Sequence, residues 1–206
     1  MLTVKNYKKA YGGHLVLDVA DLIVPKGLTW FRGINGSGKS TFFKSIAGIV
    51  PFEGDVVHES GVDFKSNSMA FRKMVAYSPA EPHYPSYISG EELLDFYTET
   101  KGNEKLVDLI KLFQVEGFYK DKIQSYSSGM LKKISLIAAF LGDSEILALD
   151  EPFTTIDVQT QEILSDLIKD ALNEGKSVMI ASHHEMPSLD GSVVETFMVA
   201  NQTITK

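Results

Sequence analysis

Residues 33 to 40 read Gly33-Ile34-Asn35-Gly36-Ser37-Gly38-Lys39-Ser40, which satisfies the phosphate-binding pattern G-x-x-x-x-G-K-[ST]. The preceding run, Leu28 to Arg32, has the composition of a buried strand. Lys39 to Ala47 has the spacing of a helix, and Gly48 marks its end. Glycines let the backbone curl so that successive N–H groups face a phosphate at the positive end of the helix. The pattern therefore predicts a strand, a phosphate-binding loop and a helix.

Two side chains at the end of this loop indicate what it binds. Lys39 would reach the β- and γ-phosphates of a nucleotide, and the Ser40 hydroxyl would ligate Mg²⁺. The alternative is an ordinary Gly-rich turn with an exposed lysine. A strand before the loop and a helix after it are the context that the motif requires, so we predict nucleotide binding by Gly33 to Thr41.

A second motif consists of two carboxylates that follow an apolar strand. Ile146 to Leu149 is short and fully apolar, and Asp150 and Glu151 come directly after it. The end of a buried strand lies at the edge of the sheet from which the phosphate loop also emerges. There Asp150 could hold Mg²⁺ or its water, and Glu151 could polarise an attacking water. A strand that merely surfaces into a charged loop is the alternative, and the neighbouring phosphate motif argues against it.

The rest of the chain alternates strands with helices, which predicts an α/β fold with a parallel sheet. Ser177 to Ala181 is a further apolar strand, and apolar residues at helical spacing separate it from Ile146 to Leu149. The stretch from Glu91 to Phe140 has helical stripes without a strand between them, so we interpret it as a helical insertion. The end, Val193 to Thr205, reads as two short strands that turn near Asn201.

Composition restricts the classes of function. The 206 residues include 20 Lys plus Arg and 27 Asp plus Glu, a net charge of −7, so we expect no nucleic-acid partner. The absence of cysteine from the sequence excludes disulfides, thiolate zinc sites and cysteine nucleophiles. The first residues lack an apolar signal-peptide segment, and no apolar run approaches a membrane span. We therefore expect a soluble protein whose membrane role, if any, requires a partner.

Together these motifs make the chain resemble, over nearly its whole length, the nucleotide-binding subunits of ATP-binding cassette (ABC) transporters. Tyr126-Ser127-Ser128-Gly129-Met130 lies where the family has its signature, with Gly129 21 residues before Asp150. Thr155-Ile156-Asp157 lies at the family's D-loop, and Ser182-His183 matches the switch histidine. Tyr11 matches the aromatic residue that stacks on adenine. The order and spacing of these elements are more specific than any one of them.

The resemblance implies roles for these residues, each with a simpler alternative. Ser127, Ser128 and Gly129 would bind the γ-phosphate of ATP held by the opposite subunit, although Ser127 could be only a helix cap. His183 would position the attacking water, although a histidine after a strand can be structural. Asp157 would belong to the D-loop. Tyr11 could instead be a half-buried aromatic residue at the end of a strand.

The sequence departs from the family pattern at two places. Ala80 occupies the Q-loop position where the family has a glutamine that contacts Mg²⁺ and relays to the permease. Glu81 is the residue that could replace it. The signature is also loose, and its Tyr-Ser-x-Gly-Met form is similar to that of bacterial exporters of drugs and bacteriocins.

We therefore predict one ABC-type ATP-binding domain over residues 1–206, with an α/β fold. It would contain a P-loop NTPase sheet core, an N-terminal antiparallel β portion and a helical subdomain at about residues 85–140. The resemblance implies an ATPase that uses Mg²⁺, works as a homo- or heterodimer, and powers a separate membrane permease, with export as the expected direction. It would lie in the cytoplasm at the inner face of the cell membrane. Two alternatives are a degenerate ATP-binding switch with an active partner cassette, and a soluble ABC ATPase outside transport.

Overall fold

The computed structural model of the protein describes residues 1–185 and 194–206. Its strands are β1 Leu2–Tyr11, β2 His14–Val24, β3 Leu28–Arg32, β4 Glu53–His58, β5 Val75–Ser78, β6 Ile146–Asp150, β7 Ser177–Ser182, β8 Val194–Ala200 and β9 Thr203–Thr205. Its helices are α1 Lys39–Ile46, α2 Ser68–Met74, α3 Gly90–Lys101, α4 Leu106–Leu112, α5 Ser128–Phe140 and α6 Val158–Asn173, with a 3-10 turn at Ile123–Ser125.

The amino-terminal region contributes a three-stranded antiparallel sheet in the order β2-β1-β4. Val4 pairs with Leu22 on one side and with Val56 on the other, and all three side chains are buried. The neighbouring Lys5 is exposed, as expected where one face of an antiparallel sheet covers the core. The predicted antiparallel β portion is confirmed.

The second sheet has six strands in the order β5-β6-β7-β3-β8-β9 and is parallel except for β9. Strands β3, β6 and β7 run side by side in the same direction, so their carboxyl ends meet at one edge. Gly33, Glu151 and His183 follow these three strands directly. Sheet order therefore brings distant segments of the sequence to one place, as is typical of ligand sites in α/β folds.

Strand β6 separates two hydrophobic cores, and every one of its residues is buried. Leu147 and Leu149 belong to the core that also receives α5 and α6. Ile146 and Ala148 belong to the other, which receives α1 and the antiparallel sheet. Successive side chains of a strand point to opposite faces, so both faces of β6 are covered. This explains why the strand reads as a continuous apolar run.

Helices occupy the chain between β5 and β6, and the structure, which describes that whole segment, has no strand there. The helical insertion expected in the sequence is thus present. Helix α5 begins at Ser128, within the polar stretch that precedes its apolar stripe. The reason is a cap: Ser127 Oγ accepts a hydrogen bond from the Met130 N–H at 3.2 Å, which allows the helix to begin among polar residues.

The carboxy-terminal strands agree with the prediction of a short hairpin. Strands β8 and β9 pair antiparallel, and Asn201 and Gln202 between them have φ values of 50° and 60°. The predicted start at Val193 lies outside the described residues. In the part of the chain that is described, no helix combines the length and the apolar character required to cross a bilayer.

Candidate nucleotide-binding site

The loop between β3 and α1 has the backbone geometry that its glycines permit. Gly36 and Gly38 have φ values of 80° and 106°, which favour glycine over residues with a Cβ. A Cβ on Gly33 would lie 2.5 Å from the carbonyl oxygen of Val199, so larger residues do not fit there. Gly38 is the N-cap of α1 and has no side chain to occupy the first N–H groups of the helix. The loop therefore ends in N–H groups suited to an anion.

Lys39 is buried and folds back over this loop. Its Nζ donates to the carbonyl oxygen of Gly33 at 2.7 Å and to that of Ile34 at 3.1 Å. Burial lowers the pKa of the Lys39 ammonium, whereas the carboxylates of Glu151 and Asp150 raise it. The ammonium thus lies near the carboxylates of Asp150, the last residue of β6, and of Glu151, the next residue, with its Nζ 3.8 Å from Glu151 Oε1.

Asp150 ends β6 and is completely buried. Its Oδ2 accepts a hydrogen bond from the Tyr77 hydroxyl at 3.3 Å. Burial raises the pKa of the Asp150 carboxyl, and the nearby Ser40 hydroxyl and Lys132 ammonium lower it. Within the described residues Asp150 Oδ1 is buried without a hydrogen-bond partner, an arrangement that costs free energy unless a ligand meets the oxygen.

The oxygen atoms of Ser40 and Asp150 fit Mg²⁺. This ion is usually bound through one or two carboxylates together with substrate phosphates and water. Over residues 1–185 and 194–206, no cluster of three or more His, Asp or Glu side chains could hold a metal ion. The Asp150 Oδ1 atom and the Ser40 hydroxyl are the oxygen atoms that would hold such an ion beside a nucleotide.

Glu151 and His183 form a hydrogen-bonded pair next to the loop. Glu151 Oε1 accepts from the backbone N–H of His183 at 3.0 Å and from its ring Nδ1–H at 2.7 Å. Because the carboxylate accepts at Nδ1, the proton is assigned to that nitrogen and Nε2 is left as an acceptor. Glu151 has a φ of 44°, a left-handed conformation that costs free energy in a residue with a side chain. Oε2 is buried and, among the described residues, has no hydrogen-bond partner.

Lys39, Ser40, Glu151 and His183 line one cavity of about 600 Å³. The predicted site residues that line it are Tyr11, Asn35, Gly36, Ser37, Gly38, Lys39, Ser40, Thr41, Glu151 and His183, and Ala80 and Glu81 lie there too. The Tyr11 side chain is 46% exposed, with Lys9 Nζ 4.4 Å from the centre of its ring. The structure thus brings together residues that extend from the first strand to the seventh.

Seven predicted residues do not line this cavity: Gly33, Ile34, Asp150, Ser127, Ser128, Gly129 and Asp157. Ser127 caps α5, and Asp157 caps α6 by accepting from the Thr160 N–H at 2.8 Å. The alternative role for Ser127, a helix cap, is therefore present in the structure. A Cβ on Gly129 would lie 2.7 Å from the carbonyl oxygen of Thr155, so the start of α5 packs against the segment before α6.

Sequence reasoning missed two side chains that contact Asp150. Burial raises the pKa of the Tyr77 hydroxyl, which therefore stays protonated and donates to the carboxylate. Lys132 is fully buried, and its Nζ donates to the Asp150 carbonyl oxygen at 2.8 Å. The available signal for Lys132 was its position four residues before Leu136, on the buried stripe of a helix.

Comparison with known proteins decides the family. Residues 18–154, more than half of the chain, match the family described as ABC transporter. The chain belongs to the ABC transporter family. The resemblance to ABC nucleotide-binding subunits that the sequence motifs indicated is confirmed.

Curated members of the ABC family resemble the chain over most of its length. The linearmycin resistance ATP-binding protein LnrL of Bacillus subtilis is 29% identical over 191 residues, 89% of this chain and 61% of LnrL. The bacitracin transport ATP-binding protein BcrA of Enterococcus faecalis is 30% identical over 89% of this chain and 61% of BcrA. The chain thus spans about three fifths of these relatives. The tungstate uptake system ATP-binding protein TupC of Peptoclostridium acidaminophilum is 31% identical, over 90% of this chain and 87% of TupC.

Solved ABC structures have the same fold. An ATP-binding subunit of an ABC transporter superposes with a TM-score of 0.87 at 23% identity, covering 99% of this chain and 88% of that one. A dimeric post-hydrolysis state of the ATP-binding cassette MJ0796, bound to ADP and Pi, has a TM-score of 0.84 at 18% identity. The superposition covers 100% of this chain and 97% of the MJ0796 chain. The predicted α/β fold with a P-loop NTPase core is confirmed.

Proposed function

We propose that this chain is the ATP-hydrolysing subunit of an ABC transporter. The observation that carries the proposal is the Glu151–His183 pair, which lines the same cavity as the phosphate loop, with Glu151 Oε1 3.8 Å from Lys39 Nζ. A general base must lie beside the site where water attacks, and the phosphates must be held by positive groups on the other side. The residues that line the cavity support this assignment of roles.

The phosphates would lie on the loop from Gly33 to Thr41. The N–H groups at the start of α1 and the Lys39 ammonium would neutralise their charge. Ser40 and Asp150 would hold Mg²⁺, which supplies positive charge next to the phosphate oxygens. Tyr11, at the rim of the cavity, would stack on the adenine.

Hydrolysis would depend on Glu151. His183 donates two hydrogen bonds to Oε1 and thereby fixes the direction of the carboxylate. Oε2 would accept a proton from the attacking water, and His183 Nε2 would orient that water. The strained backbone of Glu151 supports this role, because such conformations cluster at functional sites.

A second cassette would complete the site. Ser127, Ser128 and Gly129 lie apart from the cavity of their own chain, while Ser127 and Ser128 are exposed. We propose that in a head-to-tail dimer these residues meet the γ-phosphate of the partner subunit and that Asp157 acts from the D-loop. The dimeric arrangement of the related cassette MJ0796 supports a dimer.

Residues 1–206 would then form one ATP-binding domain with a helical subdomain at about 85–140. The domain would sit at the cytoplasmic face of the membrane on a separate permease. We propose export, on the Tyr-Ser-x-Gly-Met form of the signature and the names of LnrL and BcrA. TupC, whose sequence identity to this chain is similar to theirs, is named for uptake. The direction of transport is therefore the first property to test in vesicles.

A degenerate switch is the second candidate, and Ala80 favours it. Its methyl group lines the cavity where the family has glutamine and offers no ligand to Mg²⁺. A switch would bind ATP and hydrolyse it only with an active partner cassette. The purified chain alone distinguishes the two functions, since only the ATPase releases phosphate.

The test uses Lys39→Ala, with Lys44→Ala on the same helix as the control. We expect the wild-type chain to bind ATP with Mg²⁺ and to release phosphate, and Lys39→Ala to lose both while its circular dichroism is unchanged. Lys44→Ala should behave as the wild type does. Wild-type turnover by Lys39→Ala would remove the phosphate-loop assignment.

A further inference from the structure

Lys132 is a charged side chain in the interior of the protein, on α5. Its Nζ donates to the carbonyl oxygens of Pro79 at 2.7 Å and Asp150 at 2.8 Å, and more weakly to that of Ala80 at 3.4 Å. Burying an ammonium is costly unless its N–H groups are matched, and here all the acceptors are backbone oxygens. A packing role alone would be served by an apolar side chain.

The three segments that Lys132 joins are the ones that the proposed reaction uses. Helix α5 carries Ser127, Ser128 and Gly129 at its start. Pro79 and Ala80 begin the turn after β5, and Ala80 lines the nucleotide cavity. Asp150 ends β6 and is followed by Glu151. One amine therefore connects the signature helix, the Q-loop position and the strand that carries the base.

Charge supports the same connection. Burial lowers the pKa of Lys132 to about 8, and the carboxylates of Asp150 and Glu151 oppose that shift. The three carbonyl acceptors around Nζ and the two carboxylates at the carboxyl end of β6 all favour the ammonium form. An apolar residue of similar size would leave the three carbonyl oxygens without their donor.

We propose that Lys132 is a positioning residue for ATP hydrolysis, which holds the Pro79–Ala80 turn and the end of β6 in register with the signature helix. This inference rests on the proposed function. The methyl group of Ala80 cannot bind a metal or a water. The backbone of the Pro79–Ala80 turn is therefore the part that can couple movement of α5 to the nucleotide site. Any movement of α5 would be transmitted to the turn and to Glu151 through the Lys132 ammonium.

The test compares Lys132→Met with Lys101→Met. Lys101 is a matched control, because burial also lowers its pKa to about 8 and its Nζ donates to a backbone carbonyl, that of Ala138 at 2.9 Å. Lys101 does not line the nucleotide cavity. Unfolding by urea, the Kd for ATP, and kcat and KM are measured for the wild type and both variants.

We expect both variants to lose stability, but only Lys132→Met to lose kcat, by about tenfold or more, with the Kd for ATP changed less than about threefold. Lys132→Arg, which keeps the charge and its donors, should recover part of kcat. If Lys132→Met does not fold, Lys132→Gln replaces it. Its amide has two N–H donors for three carbonyl oxygens and lacks the charge, so it must also lose kcat with the Kd for ATP unchanged.

A kcat within about twofold of the wild type in Lys132→Met, or an equal loss in Lys101→Met, overturns the positioning role. An inactive wild-type chain is a different result, because it removes the proposed function and this inference with it. An active wild type with an unaffected Lys132→Met removes the inference alone.

Discussion

Replacing Glu151 by glutamine tests the base and the dimer in one variant. The substitution preserves the shape of the side chain and removes its charge. The amide oxygen of the new side chain could still accept both hydrogen bonds from His183, which are now 3.0 and 2.7 Å long. The amide nitrogen would take the place of Oε2, a buried atom without a hydrogen-bond partner in residues 1–185 and 194–206. The fold should therefore survive.

The magnitudes separate an effect on catalysis from an effect on stability. A hydrogen bond to a charged group contributes about 1.5–3 kcal/mol and a neutral one about 0.5–1.5, so two weakened bonds cost about 2 kcal/mol, partly offset because no charge is buried. That is less than the roughly 5–15 kcal/mol that holds a domain folded. Loss of a positioned base lowers hydrolysis about 10²- to 10⁴-fold, or about 2.7–5.4 kcal/mol of barrier.

The assay measures ATP binding, phosphate release and light scattering with and without ATP. Glu151→Gln should bind ATP, because Lys39, Ser40 and Asp150 are unchanged, and should hydrolyse it slowly. With less repulsion from the γ-phosphate, ATP should also trap a dimer that the wild type forms only transiently. Asp150→Asn should lose Mg²⁺-dependent hydrolysis without trapping the dimer.

Glu145→Gln is the matched control. Glu145 is the residue directly before β6, at the opposite end of the same strand, and its side chain is 57% exposed. We expect its hydrolysis and scattering to equal those of the wild type. Normal hydrolysis by Glu151→Gln would refute the assignment of the base. An inactive variant that stays monomeric with ATP would instead show that the chain requires a different cassette as its partner.

Two other substitutions follow from the site. Ala80→Gln should change the free energy of unfolding by less than about 0.5 kcal/mol. It should raise the basal ATPase rate at low Mg²⁺, because the glutamine adds an oxygen ligand to the cavity. An ATPase rate with the same Mg²⁺ dependence as the wild type would contradict this role of the added oxygen. Asp157→Ala should lower the free energy of unfolding by about 1 kcal/mol at neutral pH, because the side chain caps α6. Hydrogen bonds from the Thr160 N–H and hydroxyl lower the pKa of Asp157 from 3.8 to about 2, so this stabilisation is present above pH 4 and is lost as the pH falls towards 2. Urea unfolding of the wild type and Asp157→Ala between pH 7 and pH 2 measures this effect. If the difference in their free energies of unfolding does not narrow as the pH falls, Asp157 does not act as the proposed cap.

The parts of the site that depend on contiguous residues were predictable from the sequence. Gly33 to Ser40 requires only its own glycines and the flanking strand and helix, and β3 and α1 lie where the pattern placed them. The meeting of Glu151 with His183 required more, because it depends on β6 and β7 being neighbours. The family resemblance supplied that order, and the residues alone did not.

Contacts made by long side chains across the fold were not predictable. Lys132 reaches Pro79 and Asp150, which are 53 and 18 residues away in the sequence. The sequence contains only a lysine at a position of the apolar stripe of α5. The close contact between β1 and β4 was not predictable either. Asn6 in β1 has a φ of 49°, and a Cβ on Gly54 in β4 would lie 2.3 Å from the Asn6 carbonyl oxygen. Such fits are fixed by tertiary packing.

The cap at Ser127 and the proposed binding of a partner's phosphate are compatible. The first N–H groups of a helix have no partner within the helix, and among residues 1–185 and 194–206 Ser127 Oγ accepts only from that of Met130. The N–H groups of Ser128 and Gly129 are left at the positive end of α5, and Ser127 and Ser128 are exposed. Gly129 packs too closely against Thr155 to tolerate a side chain, which ties this end of α5 to the segment before Asp157. A second cassette that approaches α5 would therefore meet the signature and the D-loop as one surface, so ATP binding in one subunit and the position of Asp157 in the other would change together.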